Sequence, residues 1–229
     1  MSGKLFISGG GNAENSYLLD KEFVGSLKKR KILYIPIGLK RDIVGFEGCY
    51  DWITKTLGAY TSKEIEIEMW ISLEDKHEED LSDFDAIYIG GAYNTYKLMD
   101  VLHCSGLDQR FRGFVAKGGL IYGGSSGAII LGRNIATWGD DKMNYTSEDG
   151  LDLVGGFSIF CHFNVRGEEC VKNYINKYKI PTIALTEATG FIYEEHNIKA
   201  IGYDSVVIFY DSESVRILKP NEKINLVKI

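Results

Sequence analysis

The chain has 229 residues, a length that one large α/β domain can reach, and we expect a single domain over residues 1–229. Its content of 45% hydrophobic and 25% charged residues, with 26 Gly against 3 Pro, excludes disorder, collagen and a pure coiled coil. The net charge of −6 and the pI near 5.3 supply no basic surface for a phosphate backbone, so nucleic acid is not an expected partner.

Short apolar runs alternate with amphipathic stretches through the first 131 residues. The predicted strands cover 4–8, 31–37, 65–70, 86–89 and 120–122, and the predicted helices cover 17–27, 43–57, 95–101, 107–117 and 128–131. Strands that are apolar throughout, separated by amphipathic helices, indicate a parallel sheet covered on both faces.

The pattern changes after Gly132. Residues 134–150 are polar and predict a loop. The strands predicted beyond Pro181 follow one another closely, which indicates an antiparallel extension at the sheet edge; they cover 182–185, 191–193, 200–202, 206–210 and 215–218. The prediction is therefore a three-layer α/β/α domain with a mostly parallel sheet and an antiparallel C-terminal extension.

Glycine turns follow three of the strands, at 9–11, 90–91 and 123–127, where ligands of such sheets bind. The first turn has Glu14 where a dinucleotide motif requires its third glycine, and the chain has no G-K-[ST]. It also lacks H-E-x-x-H or similar ligand spacing. We therefore expect neither a cofactor nor a metal.

The four cysteines, Cys49, Cys104, Cys161 and Cys170, have no C-x-x-C spacing and are predicted to be reduced thiols. The N-terminus lacks the basic and apolar regions of a signal peptide, and no run of about 18 apolar residues follows. These features predict a cytoplasmic protein that does not bind a membrane.

Residues 123–127, Gly-Gly-Ser-Ser-Gly, fit the pattern G-x-S-x-G between an apolar strand and a helix. Small neighbours permit a sharp turn that exposes Ser125 Oγ and places N–H groups near an oxyanion. A plain Gly/Ser helix cap has the same sequence. Ser126 is a rival nucleophile, but it is not the middle residue of the pattern and is expected to donate its N–H.

A nucleophilic serine requires a base, and the chain has four histidines. His77 lies in an acidic surface stretch, His196 in an apparent hairpin turn and His103 at a helix end. His162 follows the apolar run 159–161. From there it can reach the sheet edge that carries the sharp turn at Ser125, which we call the elbow. A packed core histidine is the alternative for His162, but its pairing with an elbow serine favours the role of base.

Four segments recur together along the chain: Ile87–Thr95, Tyr122–Ala128, Cys161–Phe163 and Leu185–Gly190. In order and spacing they resemble the serine peptidases related to peptidase E (aspartyl dipeptidase) and cyanophycinase. The resemblance spans most of the chain. It implies a class I glutamine amidotransferase-like (flavodoxin-like) fold and a triad in the chain order Ser, His, Glu, unlike that of α/β-hydrolases.

The resemblance also implies roles for individual residues. Ser125 would be the nucleophile, His162 the base and Glu187 the carboxylate that orients the imidazole. The backbone N–H groups of Gly91 and Ser126 would form the oxyanion hole. The chain departs from the usual family elbow, which has a bulky residue before the serine and alanine after it.

Glu187 follows the strand-like run 182–185, from which it can reach an edge histidine, although a solvated turn glutamate has the same sequence. Asp140 matches an aspartate in the post-elbow loop of peptidase E and is a candidate partner for a substrate α-amino group. The other candidate substrate contacts are Asn94, Arg133 and Arg166, of which the arginines suit a carboxylate.

Three aromatic residues, Tyr93, Trp138 and Tyr145, lie in loops expected near the elbow. They can wall a substrate pocket or simply anchor their loops.

Together these features predict a monomeric or homodimeric serine peptidase that cleaves dipeptides or short peptides with N-terminal Asp through an acyl-enzyme. Two alternatives remain open: a noncatalytic binding relative on the same scaffold, and an esterase or acyl transferase that uses the same triad.

Overall fold

The computed structural model describes residues 3–38, 41–74, 76, 81–139, 142, 144–145 and 147–226. The strands are β1 (Lys4–Ser8), β2 (Lys31–Ile35), β3 (Glu66–Met69), β4 (Ala86–Ile89), β5 (Leu120–Gly124), β6 (Ser158–Phe160), β7 (Thr182–Ala184), β8 (Thr189–Glu194), β9 (Asn197–Gly202), β10 (Val206–Phe209), β11 (Val215–Leu218) and β12 (Lys223–Asn225). The helices are α1 (Ala13–Ser26), α2 (Arg41–Gly58), α3 (Thr95–Cys104), α4 (Leu107–Ala116), α5 (Ser126–Ile129) and α6 (Phe163–Tyr178).

The main sheet has the strand order β12-β9-β8-β1-β5-β4-β2-β3. Strands β1, β5, β4, β2 and β3 pair in parallel, while β8 pairs with β1, β9 with β8 and β12 with β9 in antiparallel orientation. This mixed sheet with helices confirms the predicted α/β class.

The predicted antiparallel extension at the edge of the main sheet is formed by β8, β9 and β12, but the other C-terminal strands do not belong to it. Strands β6, β7, β10 and β11 form a second sheet of order β11-β10-β7-β6, in which β6 and β7 are parallel. The chain passes from the second sheet to the main sheet at the turn between β7 and β8. An alternating apolar pattern identifies a strand but not its partner, so the sequence did not reveal the division.

Two apolar layers cover the two faces of the main sheet. On β1, Leu5 and Ile7 face the layer that includes α3, α4 and the second sheet, whereas Phe6 faces the layer that includes α1 and α2. Helix α6, which was not predicted, covers the other face of the second sheet with Val171 and Ile175. Among the described residues, no helix combines the length and apolarity required to cross a membrane.

A buried carboxyl group interrupts the α1 layer. The side chain of Asp20 is 1% exposed, and its oxygens accept hydrogen bonds from the Tyr122 hydroxyl at 2.7 Å and the Ser16 hydroxyl at 2.8 Å. Burial raises the pKa of Asp20 to about 6, and the two hydrogen bonds offset only part of that effect.

We expect Asp20→Asn to remove a pH dependence of stability. Because the pKa of Asp20 is higher in the folded protein than its ordinary value of 3.8, the folded state holds the proton more tightly. The free energy of unfolding should therefore fall as the pH rises from about 4 to about 6, by roughly 3 kcal/mol, and then level off. Urea unfolding of both proteins across this pH range measures the difference. Parallel curves for the two proteins would contradict the expectation.

Candidate active site

A sharp turn between β5 and α5 carries Ser125. Its φ of 52° and ψ of −117° place a residue with a side chain in a region of backbone conformation that favours glycine. The Ser8 carbonyl accepts the Ser125 N–H at 3.2 Å and so fixes the turn. Ser125 Oγ does not cap the helix that follows, which argues against the plain helix-cap alternative.

Two glycines make this turn sterically possible. A Cβ at Gly123 would lie 2.5 Å from the Gly127 carbonyl oxygen, and a Cβ at Gly127 would lie 2.2 Å from the Ile89 carbonyl oxygen. The G-x-S-x-G spacing thus allows β4, β5 and α5 to pack so closely that no side chain fits between their backbones at these two positions.

His162 lies opposite the elbow, immediately after β6. Its Nε2 is 3.0 Å from Ser125 Oγ, and its Nδ1 is 2.8 Å from Oε1 of Glu187. The imidazole is largely buried, whereas the Glu187 side chain is 36% exposed at the turn between β7 and β8. The structure therefore brings the three predicted triad residues into one line of contacts.

The turn that carries Glu187 is held on both sides. The Thr189 N–H donates to the Thr186 carbonyl at 3.2 Å, and the Thr186 hydroxyl contacts the Thr189 hydroxyl and the Asp204 carboxylate. The Gly9 N–H donates to the Thr189 carbonyl and ties the same turn to the end of β1.

Two of the other histidines have partners elsewhere. His103 Nδ1 lies 3.2 Å from the Asp108 carboxylate, and His196 Nδ1 lies 3.3 Å from the Tyr193 hydroxyl. His77 lies outside the described residues.

The predicted oxyanion residues border the nucleophile. A Cβ at Gly91 would lie 3.9 Å from Ser125 Oγ, so this backbone approaches the serine closely. The Ser126 hydroxyl donates to the Ala92 carbonyl at 3.1 Å and contacts the Thr95 hydroxyl at 3.2 Å. The elbow and the β4–α3 loop are thus fastened together beside Ser125.

Gly10 has a role that the sequence analysis did not assign. A Cβ there would lie 2.6 Å from Cε1 and 2.9 Å from Nε2 of His162, so the bare backbone forms one wall of the imidazole site. The available signal was the glycine run after β1, at the same sheet edge as the elbow.

We expect Gly10→Ala to lower kcat on a peptide substrate by about 100-fold, because the new methyl group displaces Nε2 from Ser125 and a misplacement of this size is costly for a reaction that uses this contact. The φ of 109° at Gly10 adds backbone strain. Steady-state kinetics measures the loss.

Gly106→Ala is the matched control. Gly106 also has a positive φ, of 70°, but no atom lies within 4 Å of a Cβ placed there. This variant should lose some stability and retain its kcat. Similar kcat losses in both variants would show that strain alone is responsible.

Trp138 forms another side of the site. Its ring lies edge-on to the His162 imidazole, with 5.1 Å between centroids. The Arg166 guanidinium lies 4.8 Å from the Trp138 ring and 4.1 Å from the Phe160 ring, and it donates to the Thr137 carbonyl. Arg166 therefore stands close to the site and holds the loop that carries Trp138.

Cys161 lies beneath the elbow, with its Sγ 3.5 Å from the Ser125 carbonyl oxygen. Burial raises the pKa of this thiol to about 12, which keeps it protonated. It packs beneath the site and is not a rival nucleophile.

Arg133 lies beside the segment that leads into β6. Its N–H donates to the Phe157 carbonyl, and its Nη1 would lie 3.8 Å from a Cβ at Gly156. Its role as a substrate contact stays a prediction.

Asn94 caps α3 by accepting the Lys97 N–H at 2.9 Å, three residues beyond Gly91. Asp140 lies outside the described residues. Within the described ranges, no three His, Cys, Asp or Glu side chains are grouped so as to hold a metal ion.

An elbow serine, a histidine on its Oγ and a carboxylate on the second ring nitrogen are the arrangement found in Ser-His-acid hydrolases. The sequence model of Peptidase family S51 matches residues 5–201, and the chain belongs to this family. Its predicted resemblance to the peptidase E family is confirmed.

Individual relatives agree with this assignment. Peptidase E of Actinobacillus pleuropneumoniae serotype 5b (strain L20) is 27% identical over 151 residues, which cover 63% of this chain and only 61% of that protein. Peptidase E of Pasteurella multocida (strain Pm70) is 24% identical over 237 residues, which cover 96% and 98%. The crystal structure of a peptidase from an acI-B1 Actinobacterium shares the fold, with a TM-score of 0.75 at 18% identity over 98% of this chain and 97% of that one.

Proposed function

We propose that the protein is a serine peptidase that hydrolyses short peptides through Ser125, His162 and Glu187. The observation that carries the proposal is the line of contacts from Ser125 Oγ to Nε2 at 3.0 Å and from Nδ1 to Glu187 at 2.8 Å. In it, His162 Nδ1–H donates a hydrogen bond to the Glu187 carboxylate and keeps its proton, which leaves Nε2 free to accept the proton of the serine.

The reaction has two stages. Ser125 Oγ attacks the scissile carbonyl while His162 Nε2 takes its proton, and His162 then gives that proton to the departing amine as the C–N bond breaks. A water molecule, deprotonated by His162, attacks the resulting ester, and His162 returns that proton to Ser125 Oγ as the C–O bond to the serine breaks and the acid leaves.

The N–H groups of Gly91 and Ser126 would stabilise the oxyanion of each tetrahedral intermediate. Support comes from the close approach of Gly91 to Ser125 and from the hydrogen bond between Ser126 and Ala92. Because this bond links the two segments, the donors would be in place before substrate binds.

The substrate class we propose is a dipeptide or short peptide with N-terminal Asp. The resemblance to aspartyl dipeptidases and the acidic loop 134–150 support it. The contact of Trp138 with His162 brings this part of the loop to the site, and Asp140 follows two residues later in the sequence. Asp140 would bind the substrate amine, and Arg166, which lies on the Trp138 ring, would bind the substrate carboxylate.

The test compares Asp-Leu, N-acetyl-Asp-Leu and Ala-Leu as substrates. We expect cleavage of Asp-Leu at least about 100-fold faster than of the acetylated peptide, because acetylation removes the charged amine that Asp140 would bind. Equal cleavage of the two, or preference for Ala-Leu, would contradict the substrate class but not the triad.

A fluorophosphonate probe tests the triad separately. It should label the wild-type protein at Ser125 and leave Ser125→Ala unlabelled. An unlabelled wild-type protein would favour a noncatalytic binding relative, and labelling with cleavage of esters alone would favour an esterase.

A further inference from the structure

We propose that Asp204 and Thr186 are positioning residues: together they fix the turn that holds the Glu187 carboxylate against the imidazole of His162. The kinetic consequence rests on the proposed function, whereas the placement of Glu187 does not. Neither residue forms a hydrogen bond with Ser125 or with His162, so both would act through the turn.

The Glu187 carboxylate depends on its backbone for its position. Its Oε1 lies 2.8 Å from His162 Nδ1, and within the described part of the chain no other group bonds to it. The side chain is also partly exposed, so it keeps rotamer freedom that a single bond must overcome. The rigidity of the turn beneath it therefore decides how closely it stays beside Nδ1.

Thr186 closes this turn from within. Its carbonyl accepts the Thr189 N–H at 3.2 Å, and its hydroxyl lies 3.0 Å from the Thr189 hydroxyl. Glu187 lies between these two residues in the chain. The residues on either side of it are thus joined twice, once through the backbone and once through the side chains.

Asp204 attaches the turn to a neighbouring one. Its Oδ2 accepts the Thr186 hydroxyl at 2.8 Å. Because a carboxylate can only accept, the single proton of the Thr186 hydroxyl goes to Asp204, and the Thr189 hydroxyl can then donate to Thr186. Hydrogen bonds to an ionised acceptor are the stronger kind, so Asp204 orders the whole row.

Both turns are crossings between the two sheets. The chain passes from the second sheet to the main sheet at residues 185–188 and returns to the second sheet at residues 203–205. The Tyr203 N–H also donates to the Ala188 carbonyl at 2.9 Å, so the backbones of the two crossings touch. The bond from Thr186 to Asp204 therefore fixes Glu187 where the two sheets meet.

A purely structural role makes a different prediction, which Asp211 can test. Asp211 lies beyond the other end of β10, and its Oδ1 accepts the Glu213 N–H at 2.8 Å and the Ser214 N–H at 2.6 Å. Asp211→Ala therefore removes the same charge and a similar turn anchor without touching the turn of Glu187.

The experiment compares Thr186→Val, Thr186→Ser, Asp204→Ala, Asp204→Asn and Asp211→Ala with the wild type. The first readout is the ring Cε1–H NMR signal of His162, assigned with a His162→Gln variant. The second is kcat and KM on the best dipeptide. The third is kcat when Thr186→Val is combined with Glu187→Gln.

We expect Thr186→Val and Asp204→Ala to move the His162 signal and to lower kcat by about threefold to tenfold with KM unchanged. Thr186→Ser keeps the donor and Asp204→Asn keeps an acceptor, so both should behave as the wild type, as should Asp211→Ala. In the Glu187→Gln background, Thr186→Val should cause no further loss, because the group it positions is already disabled. If Thr186→Val does not fold, Asp204→Ala decides.

An unmoved His162 signal in Thr186→Val and Asp204→Ala would overturn the proposal. Equal losses in Asp204→Asn and Asp204→Ala would overturn it as an effect of charge alone. Equal losses in Asp211→Ala, or a full additional loss in the Glu187→Gln background, would overturn it as a general effect on the fold. A wild-type protein that cleaves no peptide but shows the expected signal changes would support the positioning and overturn the proposed function.

Discussion

Ser125→Ala is expected to lower kcat for a dipeptide by about 10⁴- to 10⁶-fold, the usual cost of removing the nucleophile of a triad. The melting temperature should hardly change, since the hydroxyl contacts His162 at the surface of the elbow and the backbone strain stays the same. Steady-state kinetics and thermal unfolding of the same preparations measure both quantities.

Ser126→Ala is the control. The Ser126 hydroxyl bonds to Ala92 and Thr95, and its N–H, the proposed oxyanion donor, survives the change. We expect kcat within about tenfold of the wild type, in line with the loss of one positioning hydrogen bond. If Ser126→Ala were inactive and Ser125→Ala active, the nucleophile would be Ser126 and not Ser125.

Glu187→Gln should have the second largest effect, a fall in kcat of about 10²- to 10⁴-fold. The amide can donate to Nδ1 of His162, which moves the imidazole proton to Nε2 and prevents it from accepting the serine proton. Because the Glu187 side chain is 36% exposed, water can partly replace its oxygen, and the lower end of the range is expected.

Glu194→Gln provides the comparison for Glu187. Glu194 ends β8 and pairs with Lys4 on the surface at 3.3 Å, so its neutralisation should leave kcat unchanged. A Glu187→Gln variant with wild-type kcat would remove Glu187 from the triad, while comparable losses in both variants would indicate a general charge effect.

The parts of the fold that depend on residues close together in the sequence could be predicted. Apolar runs with glycine at their ends identified the central strands, and the G-x-S-x-G spacing identified the elbow because its glycines are needed within five residues. Strand pairing depends on distant segments. The sequence therefore predicted neither the second sheet nor the pairing of β8 with β1.

The candidate site shows the same division. Ser125 and His162 were candidates because each has a recognisable residue type at the end of a strand, whereas the role of Glu187 came from the family resemblance; the structure places the three in contact. Gly10 was missed because its contribution is the absence of a side chain beside His162, a property of distance rather than of chemistry.

The division into two sheets also indicates which part of the protein should lose its structure first on heating. Ser125 belongs to the main sheet, His162 to the end of the second sheet, and Glu187 to the turn that joins them. Partial melting that separates the sheets would dismantle the triad while most of the secondary structure remains. Heat inactivation should consequently precede the loss of the far-ultraviolet circular dichroism signal, and catalysis would report on the junction between the sheets.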